Sequence, residues 1–182
     1  VIVTSQLLLC TLTLGLVAAT PLPGQQPGTA ADSALQTAEG TVREIYGLVS
    51  FEPGTPTDWA KVRNLFLPEA VVSLRTSRTA TKVFSVDGFI QDFVTFDTLP
   101  AVARNGFTER IVRMHASVFR EMAFVATLYE AHIPNAPRPP QTGVDYWLLV
   151  RRDGRWWIAA VTNDIPTPEH PIPAELRPQP GG

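Results

Sequence analysis

Three features of this 182-residue chain predict an α+β domain in which amphipathic helices come first and an antiparallel sheet covers them. Apolar residues recur at helical spacing through the N-terminal half. Two long β-forming runs follow residue 106. Between Gly143 and Thr162, two further apolar runs meet at Asp153-Gly154. Glycine takes positive φ freely and aspartate tolerates it, so this pair favours a tight primed hairpin turn. Helices followed by strands predict helix-on-sheet packing.

Along the chain, Leu35, Ala38, Val42, Ile45, Tyr46 and Val49 share one helical face, with Asp32 or Ser33 placed to cap it. Thr57 can cap a shorter helix that turns Trp59, Val62, Leu65 and Phe66 inward and that Pro68 stops. Residues 70–75 read as a short strand, and Ser85 caps a third helix with Phe89, Ile90, Phe93 and Phe96 inward, closed by Leu99-Pro100.

Residues 107–118 and 123–133 read as strands joined over 119–122, a register that sets His115 against Ala126 and Glu109 against His132. On it Val112, Met114, Ala116 and Val118 share the buried side with Ala123, Val125, Thr127, Tyr129 and Ile133. Glu109, Arg113, His115 and Ser117 lie on the opposite, mixed side with Phe124, Leu128, Glu130 and His132. In the last hairpin, Val144, Tyr146, Leu148 and Val150 lie with Trp157, Ala159 and Val161, while Trp147, Leu149, Trp156 and Ile158 take the other face. Both faces are apolar. Helices are expected on one, and a second subunit on the other, where Trp147 and Trp156 would otherwise meet water. A monomer would have to cover that face with its proline-rich tail.

Composition bounds the rest. A hydrophobic content of 45% over this length fits one core. Lys+Arg 15 against Asp+Glu 17, with the basic residues scattered, argues against nucleic acid as a partner. Residues 1–31 carry no charge, and an aliphatic run over 7–17 precedes Ala18 and Ala19, the pattern of a secretory signal too short for a comfortable membrane span. The expected organisation is therefore a signal peptide over 1–19, a flexible linker over 20–31, a folded domain over 32–165 and a proline-rich tail over 166–182. Neither end is expected to build a packed element. The mature protein would be secreted or periplasmic and free of the membrane; the other reading is an uncleaved anchor. Leu9 is too large to precede a lipoprotein cysteine, and Cys10 is the lone cysteine, so a cleaved protein would have no disulfide.

Specialised chemistries find no support. His115, His132 and His170 form no HxH or HxxxH pair, so no metal is expected. The chain has no nucleophile elbow and no phosphate-cradling glycine loop, and no cofactor is implied.

The segments Gly106-Phe-Thr-Glu-Arg110, Met122 to Glu130 and the Gly143 hairpin with Asp153-Gly-Arg-Trp-Trp-Ile158 resemble the nuclear transport factor 2-like (NTF2-like) superfamily, in particular its bacterial SnoaL-like and DUF4440-like members, over residues 33–165. The resemblance implies a cystatin-like cone, a curved antiparallel sheet wrapped around three N-terminal helices and open at one end to an apolar pocket, commonly paired as a homodimer through the sheet face. That superfamily includes isomerases, dehydratases, polyketide cyclases and non-catalytic binding domains, so the resemblance does not assign chemistry.

An acid–base enzyme of such a fold needs one carboxylate or histidine in an apolar cavity and a tyrosine hydroxyl to polarise a carbonyl. Tyr129 and Thr127 face the expected cavity, and Asp92 and Asp145 are the nearest candidate bases. Asp92 equally suits a solvated helix face. Asp145 suits a strand end bonded to Thr162, and its position often holds an amide in the resembled family. His115 and His132 read as surface or interface residues, and Tyr46, Trp59, Trp147, Trp156 and Trp157 as core before ligand platform. With Tyr129 as the one convincing polar group, the sequence favours a secreted module that binds a small apolar or aromatic molecule through Tyr46, Trp59, Met114, Thr127 and Tyr129. The alternatives are a cofactor-independent isomerase or dehydratase pairing a carboxylate with Tyr129, and a dimerising scaffold without ligand.

Overall fold

The computed structural model describes residues 33–77 and 79–178; the stretches expected to be signal peptide and linker, and Asp32, lie outside the described residues. Among the described residues, α1 (Ala38–Val49), α2 (Trp59–Arg63), α3 (Val86–Asp97) and α4 (Pro100–Asn105) pack on a six-stranded sheet. Its strands are β1 (Phe66–Arg75), β2 (Thr81–Phe84), β3 (Thr108–Phe119), β4 (Met122–His132), β5 (Gln141–Arg152) and β6 (Arg155–Asp164), in the order β2-β1-β6-β5-β4-β3. All neighbours are antiparallel except β1 and β6, which pair in parallel.

The first two of these helices start later than the sequence suggests. Thr37, not Ser33, caps α1 by accepting from Gly40 N at 2.9 Å, because the Leu35 carbonyl is already taken by Trp156 N across β6. Asp58, not Thr57, caps α2 by accepting from Lys61 N. Pro68 stops no helix: it lies inside β1, where pairing with β6 is interrupted between Phe66 and Val71, a place where a missing N–H costs no ladder bond. Ser85 caps α3 by accepting from Gly88 N. Pro100, rather than ending structure, opens α4 at a position where helices tolerate proline, and Val102 of that helix is fully buried.

Both hairpins keep the register expected at their turns, but the first turns over Arg120-Glu121 alone, since Phe119 pairs with Met122. Asp153 and Gly154 have φ of 53° and 79°, the pair of positive angles a type I′ turn requires. Each hairpin also contains a bulge. In β3 the register passes from Arg113↔Leu128 to Ile111↔Tyr129 and leaves Val112 unopposed. In β6 it passes from Leu149↔Ile158 to Leu148↔Ala160 and leaves Ala159 unopposed. Each extra residue reverses which side chains face inward beyond it.

The helix side of the sheet holds the main core, with Val42, Val62, Val72, Val125, Leu149 and Ile158 at its centre. Trp147 and Trp156 belong to this side rather than to an outer face needing a partner. On the outer side, Ala126, Leu128 and Val144 pack with Leu176 of a 3₁₀ turn (Ala174–Leu176), which is wholly buried. Part of the proline-rich tail is therefore packed structure, contrary to the expectation for that segment. Leu148, Val118, Phe119 and Met122 stay exposed beyond it.

Candidate functional site

The bulge at Val112 turns the N-terminal part of β3 over. Val112 becomes exposed, Ile111 packs on the core, and Glu109 moves from the mixed side to the helix side. Its pairing moves with it, so that His132 stands opposite Thr108 and Glu109 opposite Ala131. Ser50, capping the end of α1, pins this stretch: its hydroxyl accepts from Glu109 N at 2.8 Å and lies within bonding reach of the Tyr46 and Glu109 carbonyls. The bulge at Ala159 has a matching effect in β6, where it sets Asn163 opposite Asp145.

These shifts build two connected spaces between helices and sheet. The inner chamber, about 60 Å³, is walled by Ile45, Val49, Phe89, Trp147 and Val161, with Tyr46, Glu109, Tyr129, Asp145 and Asn163 as its polar groups. The mouth, about 560 Å³, is bounded by Phe93, Phe96, Phe107, Ala136, Pro139 and Gln141. Phe93, Glu109, Tyr129 and Asn163 belong to both. The mouth lies within the usual size range of small-molecule pockets; the chamber admits only a small group or a water or two.

Inside the chamber, hydrogen bonds form a directed chain. Trp147 Nε1 donates to Thr127 Oγ1 at 3.2 Å, Thr127 and the Tyr46 hydroxyl are joined at 2.8 Å, and the Tyr46 hydroxyl donates to Asp145 Oδ2. Since the tryptophan can only donate, each hydroxyl is left to accept one bond and pass the next on. Asp145 is thus held by Tyr46 and not by Thr162. A second chain fixes Tyr129. Arg75 N donates to Asn163 Oδ1 at 2.6 Å, which orients the amide so that its Nδ2 donates to the Tyr129 hydroxyl at 3.3 Å. The tyrosine oxygen accepts, and its own proton remains to donate into the cavity. Gly143 faces Tyr129 across β4 and β5, and a Cβ there would collide with the phenol ring, so the glycine makes room for the ring.

Apolar walls raise every titratable group in the chamber. Burial pushes the Asp145 carboxyl up to about 7, against a smaller opposing effect of the Tyr46 hydrogen bond. Burial, reinforced by the charge of Asp145, pushes Glu109 up to about 8. Glu109 as a whole is half-buried because it also faces the mouth. Tyr46 and Tyr129 are raised well beyond the usual phenol range by burial and then by Asp145. The Glu109 carboxyl makes no hydrogen bond to another described residue.

Other expected residues lie elsewhere. Thr127 is fully buried behind Tyr46 and does not line the cavity. Trp59 packs edge-on against Phe93 with centroids 5.8 Å apart, and Met114 is half-buried in the core; neither lines the chamber or the mouth. Asp92 is exposed at the rim, 3.6 Å from Lys82 Nζ. His115 is on the outer face, whereas His132 borders the mouth. Among the described residues, no group of three His, Cys, Asp or Glu could hold a metal ion.

Glu109 and Asn163 were not among the candidates. Their signals are weak: adjacent apolar residues at Ile111-Val112 and Ala159-Ala160 break strict alternation where the two bulges fall.

No protein-family model matches the chain, and no curated protein matches it in sequence. Solved structures do. An NTF2-like protein of unknown function from Pseudomonas putida KT2440 superposes with a TM-score of 0.59 at 8% identity, over 81% of this chain and 98% of that one. A candidate scytalone dehydratase from Novosphingobium aromaticivorans gives 0.56 at 14% identity over 77% and 89%, and a candidate ketosteroid isomerase from Shewanella frigidimarina gives 0.52 at 15% identity over 74% and 98%. Together these likenesses establish the fold, an NTF2-like, cystatin-like α+β domain.

Proposed function

We propose that the chain is a cofactor-independent acid–base enzyme of the isomerase or dehydratase type, acting on a small carbonyl compound that lies in the mouth and presents its reacting end to the inner chamber. One observation carries this reading over simple binding: a carboxyl with no hydrogen-bond partner among the described residues, Glu109, and a phenol with its proton left to donate, Tyr129, share the wall between the two spaces. In this reading Tyr129 donates to the substrate's carbonyl oxygen and stabilises the enolate as it forms, while Glu109 takes the proton from the adjacent carbon. A base raised to about 8 by its surroundings is well matched to such a proton; it is mostly protonated at neutral pH, so the rate should rise as pH passes through that value. Asp145, tied to Tyr46, tunes Glu109 by its charge. The dehydratase and isomerase descriptions of two structural neighbours agree with this class.

The test uses 2-tetralone, an enolisable aromatic ketone, and follows hydrogen–deuterium exchange at its α-carbon by NMR. The wild-type protein is expected to accelerate exchange above buffer, Glu109→Gln to lose about 10²–10⁴ of that acceleration, and Tyr129→Phe a smaller factor. Exchange at the buffer rate with wild-type protein, or unchanged exchange in Glu109→Gln, contradicts the reading.

A further inference from the structure

We propose that the mouth selects an aromatic acid, with the ring against a phenylalanine wall and the carboxylate on Arg138. The proposal names the substrate class of the same site and rests on the mouth being its entrance.

Phe93, Phe96 and Phe107 stand mutually edge-on, with centroids 5.0 to 6.2 Å apart, and all three border the mouth. Such a wall offers faces and edges to a planar ring, which pairs favourably in tilted geometry. The β4–β5 connection also borders the mouth, and in it Pro134, Pro137, Pro139 and Pro140 flank Arg138 in sequence. Proline fixes φ, so the segment carrying the guanidinium loses little freedom when a ligand arrives.

Charge accounting at the mouth singles out that arginine. Arg75 is ion-paired with Asp164, and Asp92 with Lys82. The Glu109 carboxyl, pushed up by burial, is mostly protonated at neutral pH. Arg138 is exposed and has no hydrogen bond or ion pair with any described residue. A guanidinium presents paired N–H donors that match a carboxylate's two oxygens. One unpaired cation matches a monoanion; a phosphate dianion would leave a charge unanswered.

The experiment compares 2-naphthoate with its neutral isostere 2-naphthamide by NMR titration of the intact protein at low salt. Wild-type protein is expected to bind the acid about ten-fold more tightly, the value of one partly exposed charge-assisted contact. Arg138→Gln should bring the acid down to the amide's affinity and leave the amide unchanged, while Phe96→Ala should weaken both alike. Equal affinity for acid and amide in wild-type protein, a preference that survives Arg138→Gln, or binding of neither would overturn the proposal. Loss of the acid preference with normal tetralone exchange would remove the anion subsite and leave the acid–base reading standing. Absent exchange with the preference intact would do the reverse.

Discussion

The inner chamber and the mouth share four residues yet are built on opposite principles. In the chamber, Trp147, Thr127, Tyr46 and Asp145 form one chain of bonds, and Asn163 fixes Tyr129. Polar groups taken out of water are stable only when partnered, so this network is set by the fold itself. The mouth has aromatic walls and a proline-rich rim, with Arg138 left without a partner among the described residues. The difference separates chemistry from recognition. Groups that must hold a proton in place sit where geometry is over-determined, and groups that must meet a ligand sit where a partner is missing. Glu109 belongs to both, since it lines the chamber and has no bond within it.

If the chamber is as dry as this contrast requires, its carboxyls must show in stability. A carboxyl raised in the folded state holds a proton that the unfolded chain has already released, so unfolding loses protons and stability falls as pH rises. For Asp145 the window opens near the ordinary aspartate value of 3.8 and closes near 7. The loss is on the order of 4 kcal/mol across it. Chemical denaturation from pH 4.5 to 8.5 should therefore show declining stability, to which Glu109 adds over its own window from 4.5 to about 8; Asp145→Asn should flatten the part of the slope below about 7, and Glu109→Gln the part that continues to about 8. A wild-type profile that rises over this range would show the chamber to be wet.

Gly143 gives a sharper cut through the chamber wall. Gly143→Ala should displace the Tyr129 phenol and cost about 1–3 kcal/mol, the usual range for overpacking. Combining it with Tyr129→Leu should recover part of that loss, which thermal unfolding of the four variants would measure. Full additivity of the two changes would mean that the ring and the glycine do not meet.

The mouth should respond more mildly. Phe96 is half-buried, and Phe96→Ala should leave the fold largely intact while weakening 2-naphthamide several-fold, about 1 kcal/mol for one aromatic contact. Unchanged affinity would remove the phenylalanine wall from the recognition surface.

How much of this was legible in the sequence follows the same division. Hairpin turns, the α3 cap and the helix-before-sheet order depend on local residue types and could be read directly. The two bulges could not, because each depends on how strands settle against helices; with them went the inward turn of Glu109 and the pairing of Asn163 with Asp145. β2 was missed because four mostly exposed residues carry no alternation. The tail was misread because proline content excludes regular helix but not a single 3₁₀ turn that buries Leu176.

The central claim is that the bulge at Val112 brings Glu109 into a low-polarity chamber beside Asp145. Side-chain carboxyl ¹³C NMR of the intact protein tests it most directly, with Glu109→Gln and Asp145→Asn as assignment controls. The account expects two carboxyls titrating as an interacting pair with apparent values of about 7 and about 8, and Tyr46→Phe to raise the Asp145 value further by removing its donor. A Glu109 carboxyl titrating near 4.5, as on an open strand face, would contradict it.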